Sequence, residues 1–198
     1  MYVSEIMRDP VSRRSFFHGA GVTFVGGSAI FVAACGADDD DGTTTSAGVE
    51  GSAADVGILA SALALELTAV EAYSKGAALL KGSLLAAGKD FLAQEQEHAD
   101  ALTKAIKQLG GSAEAKAMKL DYSGLKDQAD VLVFATNLEN VAIAAYVDAM
   151  PKLSTGDLRA TTAQIVTNEA EHVSVLQGAL GAPPAPEAFV TGDPNALG

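Results

Sequence analysis

The chain has 198 residues with 13 basic and 25 acidic side chains, a formal charge of −12 at pH 7, one cysteine and no tryptophan. Such acidity argues against a nucleic-acid partner, whose phosphates it would repel. A single cysteine excludes a disulfide framework and any cysteine-built zinc or iron–sulfur site, and abundant Ala and Leu beside few aromatics favour helices over sheet.

Residues 1–34 read as an address and not as part of the fold. Ser12-Arg13-Arg14-Ser15-Phe16-Phe17 resembles the twin-arginine export motif, in which an adjacent guanidinium pair precedes aromatic residues. A weakly apolar run of 16 residues follows, Gly19 to Ala34, short of the ~18 expected of a membrane span. It ends in Val32-Ala33-Ala34-Cys35, which resembles a bacterial lipobox. The resemblance implies cleavage before Cys35 and lipidation there, which would tether the domain to a membrane surface without spanning it. It also implies a route that carries proteins already folded in the cytoplasm. The expected location is the cell envelope.

After removal of the signal, ten basic and 23 acidic residues remain, a net charge of −13. Residues 35–54 form the lipidated cysteine and an acidic spacer. From Asp38 to Ser52 there is no apolar periodicity, so a flexible chain is expected. The four aspartates Asp38 to Asp41 read as a solvated run, because contiguous aspartates on a flexible chain offer no preformed cation cage.

About 145 residues then remain, enough for one domain with a real core. Four helical patterns occupy residues 55–181. The first runs from about Asp55 to Leu80, opened by the capping-box-like Ser52-Ala-Ala-Asp55. Its apolar stripe of Leu59, Leu63, Val70, Tyr73 and Ala77 contains Glu66, whereas Glu71 lies about 140° around the helix. The second runs from about Leu84 to Leu109, with a bend expected at Gly88 and a stop at Gly110-Gly111. Leu92, Glu95, His98, Ala99, Leu102, Ile106 and Leu109 share one face, and Glu97 points away from it. The third, about Leu125 to Leu153, turns Val131, Ala135, Leu138, Glu139, Ala142 and Tyr146 inward. The fourth, about Gly156 to Leu180, begins near Ser154 and Asp157. It places Ile165, Glu169, His172, Leu176 and Ala179 on its inner face, with Glu171 outward. Residues 110–124 could span a ~39 Å helix, which permits a long crossover between the second and third helices. The tail 182–198 is too rich in proline for a helix, and Phe189 is the residue expected to anchor it.

Two Glu-x-x-His steps stand out, Glu95-Gln96-Glu97-His98 and Glu169-Ala170-Glu171-His172. A lone Glu precedes each, Glu66 by 29 residues and Glu139 by 30, and a Tyr follows each lone Glu by seven, as Tyr73 and Tyr146. With so few Glu, two histidines would both carry Glu at i−3 in roughly one sequence in three hundred, so chance is a poor explanation. The i, i+3 spacing sets each Glu and His on one helical face. Four carboxylates converging on a core would repel severely unless cations neutralise them. Four carboxylates and two imidazoles on apolar helix faces are the ligand set of a dinuclear metal site in a four-helix bundle. Tyr73 and Tyr146 read as core residues whose hydroxyls bond buried carboxylates, in preference to redox-active groups.

The pattern resembles the ferritin-like di-metal carboxylate superfamily over roughly residues 55–181, an all-α four-helix bundle with a long crossover between helices 2 and 3. Glu66-Leu-Thr-Ala-Val-Glu-Ala-Tyr73 and Glu95-Gln-Glu-His98-Ala-Asp are similar to the first and second helix motifs of bacterioferritins. The whole layout is similar to exported bacterial ferritin-like domain proteins. The resemblance implies Glu66, Glu95, His98, Glu139, Glu169 and His172 as metal ligands, Glu95 and Glu169 as bridges, and two iron ions, or manganese, as cofactor. Gln96 stands where bacterioferritins carry a haem-ligating Met, so no haem is expected. Ala142 replaces an extra Glu of rubrerythrins, and without spare cysteines there is no built-in electron donor.

The expected partners are metal ions, O2 or peroxide, and the membrane through the lipid, with a homodimer as the assembly considered. The expected activity is that of a di-iron oxidase, a ferroxidase or peroxidase serving iron or oxidative-stress handling, with a manganese catalase-like centre as a variant. The alternatives are a non-catalytic metal-binding or structural stress-protection module, and a tethered partner-docking domain. Fold and ligands alone do not choose among them.

Overall fold

The structure is a computed structural model that describes the backbone of residues 45–197 and the side chains of residues 52–197. Arg13, Arg14 and Cys35 lie outside the described residues. Four long helices make up the described part: α1 (Thr45–Gly76), α2 (Gly82–Gln108), α3 (Gln128–Ala149) and α4 (Gly156–Ala179). Short 3-10 turns, Ala77–Leu79 and Met150–Lys152, extend α1 and α3.

α1 starts ten residues before the expected Asp55, within the segment read as flexible spacer. Thr45 to Gly51 contains no proline, so a helix already held by packing further along extends backward at one hydrogen bond per residue. Ser52 and Asp55 therefore lie inside the helix and do not cap it. Ser52 donates its hydroxyl to Leu109 O, 3.2 Å away at the end of α2. Asp55 is buried and accepts hydrogen bonds from Ser154 N, at 3.0 Å, and from the Ser154 hydroxyl.

The other ends follow local chemistry. Asp127 caps α3 in a capping box with Asp130, and Thr155 accepts from Leu158 N at the start of α4. Gly110, at φ +77°, ends α2 in a Schellman arrangement, with Gly110 N bonding Lys107 O and Gly111 N bonding Ile106 O. Helix α2 runs uninterrupted through Gly88, which is buried where a β-carbon would meet Leu80.

α2 folds back along α1, and α3 does so too, because Gln128 meets Lys81 at one end and Ser154 meets Asp55 at the other. Helices α2 and α3 are thus parallel, and only a long connection can join them. That crossover runs beside α1: a β-carbon on Gly111 would meet Val56, Ala113 and Ala115 pack against the cluster around Leu59, Met118 N donates to Thr68 Oγ1 at 2.8 Å, and Lys75 covers the Tyr122 ring. Two apolar clusters fill the bundle on either side of the polar centre, one around Leu59, Leu102 and Ile106, the other around Tyr73, Phe91 and Leu138.

Some inward-face expectations change: Val70, Ala77 and Leu109 are only half-buried. Phe91 is buried where Leu92 was expected, and Leu92 is half-buried; Ala179 is exposed in the last turn of α4. In the tail, Phe189 is 83% exposed and does not anchor it. The anchor is Gly192, at φ +66° against the backbone of Asn140 and Ala144, with Asp193 N donating to Asn140 O at 3.0 Å. Only glycine tolerates both that φ and that approach.

Asp55→Ala should leave Ser154 unpaired inside the α1–α4 junction. Thermal unfolding of the metal-free chain should show a loss of about 2 kcal/mol, a Tm drop of about 5 °C. An unchanged Tm would mean that this junction does not hold the bundle end.

Candidate metal centre

Each helix turns one acidic residue into the middle of the bundle: α1 Glu66, α2 Glu95, α3 Glu139 and α4 Glu169. All four are at most 1% exposed. His98 and His172 lie one turn beyond Glu95 and Glu169, so the six residues meet. The structure gathers them as two overlapping sets, Glu66, Glu95, His98 and Glu169, and Glu95, Glu139, Glu169 and His172. Within each set the donor atoms lie within 4.8 Å of one another. Glu95 and Glu169 belong to both.

The distances are those of a ring of donors around each imidazole. His98 Nδ1 is 2.9 Å from Glu169 Oε1, 3.3 Å from Glu66 Oε2 and 3.6 Å from Glu95 Oε2. His172 Nδ1 is 3.1 Å from Glu95 Oε1 and 3.3 Å from both Glu139 Oε1 and Glu169 Oε2. The tyrosines cross between halves: Tyr73 of α1 donates to Glu139 Oε1 of α3, and Tyr146 of α3 donates to Glu66 Oε1 of α1. Each lone Glu is thereby steadied at one oxygen. Glu71, Glu97 and Glu171 stay outside the centre, Glu71 paired with Lys75 at 3.0 Å and the other two exposed.

Burial and crowding set the protonation of the metal-free cluster. Burial, reinforced by the charges of Glu169 and Glu95, raises the Glu66 and Glu139 carboxyls well above their usual range. For His98, burial alone would lower the pKa, but its contacts with Glu169, Glu66 and Glu95 push it up to about 12. For His172, burial again opposes and Glu139, Glu169 and Glu95 prevail, giving about 11. Glu169 goes the other way: burial would raise it, yet hydrogen bonds to both histidines hold it at about 2. Burial and the adjoining carboxylates raise both tyrosines well above 10, so they remain protonated donors.

These donors fit a metal pair. Both oxygens of Glu95 and Glu169, Glu139 Oε2 and Nδ1 of both histidines are buried, and no group outside the cluster hydrogen-bonds them; they face only one another. Two imidazoles cannot fully satisfy so many carboxylate lone pairs, and each one left over in a dry core costs about 1–3 kcal/mol. Oxygen-rich donors with two imidazoles suit iron or manganese better than a thiolate-seeking ion.

Two neighbours were not found from sequence. Gln94 Oε1 lies 2.7 Å from His172 Nε2, and the Phe91 ring stacks on the His172 ring at 4.0 Å between centroids. The available signal was position: Gln94 immediately precedes Glu95, as Asn168 precedes Glu169 in the repeat.

Residues 54–182 match the family described as "Ferritin-like domain". The chain belongs to the ferritin-like domain family. Solved structures of similar fold include a conserved hypothetical protein of Mycobacterium tuberculosis, 24% identical, with TM-score 0.62, covering 70% of this chain and 99% of that one. A ferritin-like, diiron-carboxylate protein of Bacillus anthracis strain Ames is 24% identical, with TM-score 0.60 and coverage of 69% and 99%. The bacterioferritin of Desulfovibrio desulfuricans, whose diiron site was described in different catalytic states, is 19% identical, with TM-score 0.61 and coverage of 74% and 98%. No curated protein matches. The all-α ferritin-like bundle with its crossover is therefore the fold, and the carboxylate–histidine cluster lies at its centre.

At pH 7 both imidazoles of this ferritin-like protein carry two protons in the metal-free state, because their pKa values lie near 11 and 12. Metal binding must displace the Nδ1 protons. Calorimetry of Mn(II) binding in buffers of different ionisation enthalpy should show net proton release. The affinity should rise at least about tenfold per pH unit between pH 6 and 8. An affinity that is flat with pH would contradict the protonation state described.

Proposed function

We propose that this protein is a dinuclear metalloprotein of the di-iron oxidase type, a ferroxidase or peroxidase acting in iron or oxidative-stress handling at the cell envelope. The observation that carries this reading is the pair of four-donor sets sharing Glu95 and Glu169, with seven buried donor atoms that no group outside the cluster hydrogen-bonds. Diiron-carboxylate proteins among the structures of similar fold support it. The chemistry that two iron ions supply when bound is a two-electron exchange with O2 or peroxide.

The chain's own residues do the rest. Glu66 and His98 would hold one ion, Glu139 and His172 the other, and Glu95 and Glu169 would lie between them. Tyr73 and Tyr146 keep one oxygen of each terminal carboxylate engaged, which leaves the second free to ligate. The apolar clusters above and below exclude bulk water and strengthen the electrostatics of the centre. Export is supported by Arg13 and Arg14, and lipid anchoring by Cys35. A domain held at the membrane would meet oxidants entering from outside.

Metal analysis of the chain produced with iron and manganese available should give about two ions per chain. The Glu95→Ala/Glu169→Ala variant should lose both. Iron-loaded protein should then consume peroxide or oxidise added Fe(II) over many turnovers, and the variant should not. A folded wild type that takes up no metal would sink the metalloprotein reading. Stoichiometric metal without turnover would sink the oxidase and leave the binding module.

A further inference from the structure

The two halves of the repeat do not treat their histidines alike. For His172 Nδ1 to ligate, that atom must be bare, so the ring's proton must sit on Nε2, and whatever meets Nε2 must accept. Gln94 presents its amide oxygen there at 2.7 Å. The ring is also stacked on Phe91 and only 1% exposed. Its orientation is fixed before any ion arrives.

The equivalent position in the other half is Asn168, one residue before Glu169 as Gln94 is one before Glu95. Its side chain is shorter by one methylene, and its amide donates to Glu171 Oε2 on its own helix at 3.3 Å. His98 Nε2 has no protein partner among the described residues, and the side chain is 12% exposed. Pseudo-symmetry is broken at this pair of amides.

We propose that Gln94 is a positioning residue that makes the two metal positions unequal. It orients His172, so that the Glu95–Glu139–Glu169–His172 position fills first and holds tightly. The Glu66–Glu95–Glu169–His98 position, open at its imidazole, is the one that exchanges ions with solvent. This inference rests on the dinuclear metal reading above. It matters for function because an exchangeable position beside a fixed one lets Fe(II) enter and leave as substrate, whereas two fixed positions favour a resident cofactor.

The test uses the full chain, stripped of metal and titrated anaerobically with Co(II), whose visible spectrum and hyperfine-shifted proton resonances report the ligands. Wild type should bind in two phases, and the exchangeable N–H resonance of a coordinated histidine should appear with the first. Gln94→Ala should weaken the first phase by about 10- to 100-fold and merge the two. It should also lose that slowly exchanging resonance, a change that a general packing defect would not produce selectively. Gln94→Glu keeps an acceptor and should restore both, and Asn168→Ala should leave both unchanged. Two Co(II) bound by wild type in one indistinguishable phase would overturn this inference alone. A helical Gln94→Ala variant with unchanged phases and resonance would do the same. A wild type that binds no Co(II) would overturn it together with the metal reading.

Discussion

Four carboxylates in one dry core are the constraint on which the rest of this structure depends. Each ionised carboxylate brought out of water costs several kcal/mol, and mutual repulsion adds to that cost. The protein meets the problem with positive charge held between them. In the metal-free cluster two imidazolium rings lie among the oxygens, and Glu66 and Glu139 are pushed toward their neutral forms. Cations bound by the same donors would neutralise the charge more completely and satisfy the lone pairs that two imidazoles cannot. Stability and metal binding are therefore two expressions of one electrostatic requirement.

The helices are arranged to serve that centre. Each contributes its Glu from an otherwise apolar stripe, so the same packing that forms the core carries the charges inward. The crossed tyrosines tie the halves together, since the phenol of α1 steadies the carboxylate of α3 and the reverse. The crossover is a consequence of direction. With α2 and α3 parallel, a tight hairpin cannot connect them, and the connecting strand of chain is pinned at mid-length by Thr68.

The internal repeat gives the centre near-twofold symmetry, and its departures from symmetry carry chemical information. Gln94 reaches across to His172, whereas Asn168 stays on its own helix. One imidazole is sealed and stacked, the other touches solvent. In the proposed dinuclear centre, one closed and one open end would give ion exchange a built-in direction.

Much of this was legible in the chain itself. Helical periodicity placed four helices and their inward faces, and the doubled Glu-x-x-His with its upstream Glu and Tyr singled out the residues that converge. Those signals are local: they depend on 100° per residue and on which residue types tolerate an apolar face. The extent of α1, the roles of Ser52 and Asp55, and the anchor of the tail were not legible. Each depends on a partner far away in sequence, Leu109, Ser154 and Asn140 respectively. So does the pairing of each tyrosine with the opposite Glu, and the reach of Gln94 to His172. The sequence by itself determined the fold class and the set of donors, because spacing along a helix dictates which side chains share a face. Only the tertiary structure decided how closely the donors of different helices approach, which histidine is locked and which is open. Those outcomes depend on distances of about 3 Å between different helices, and no pattern within one helix encodes them.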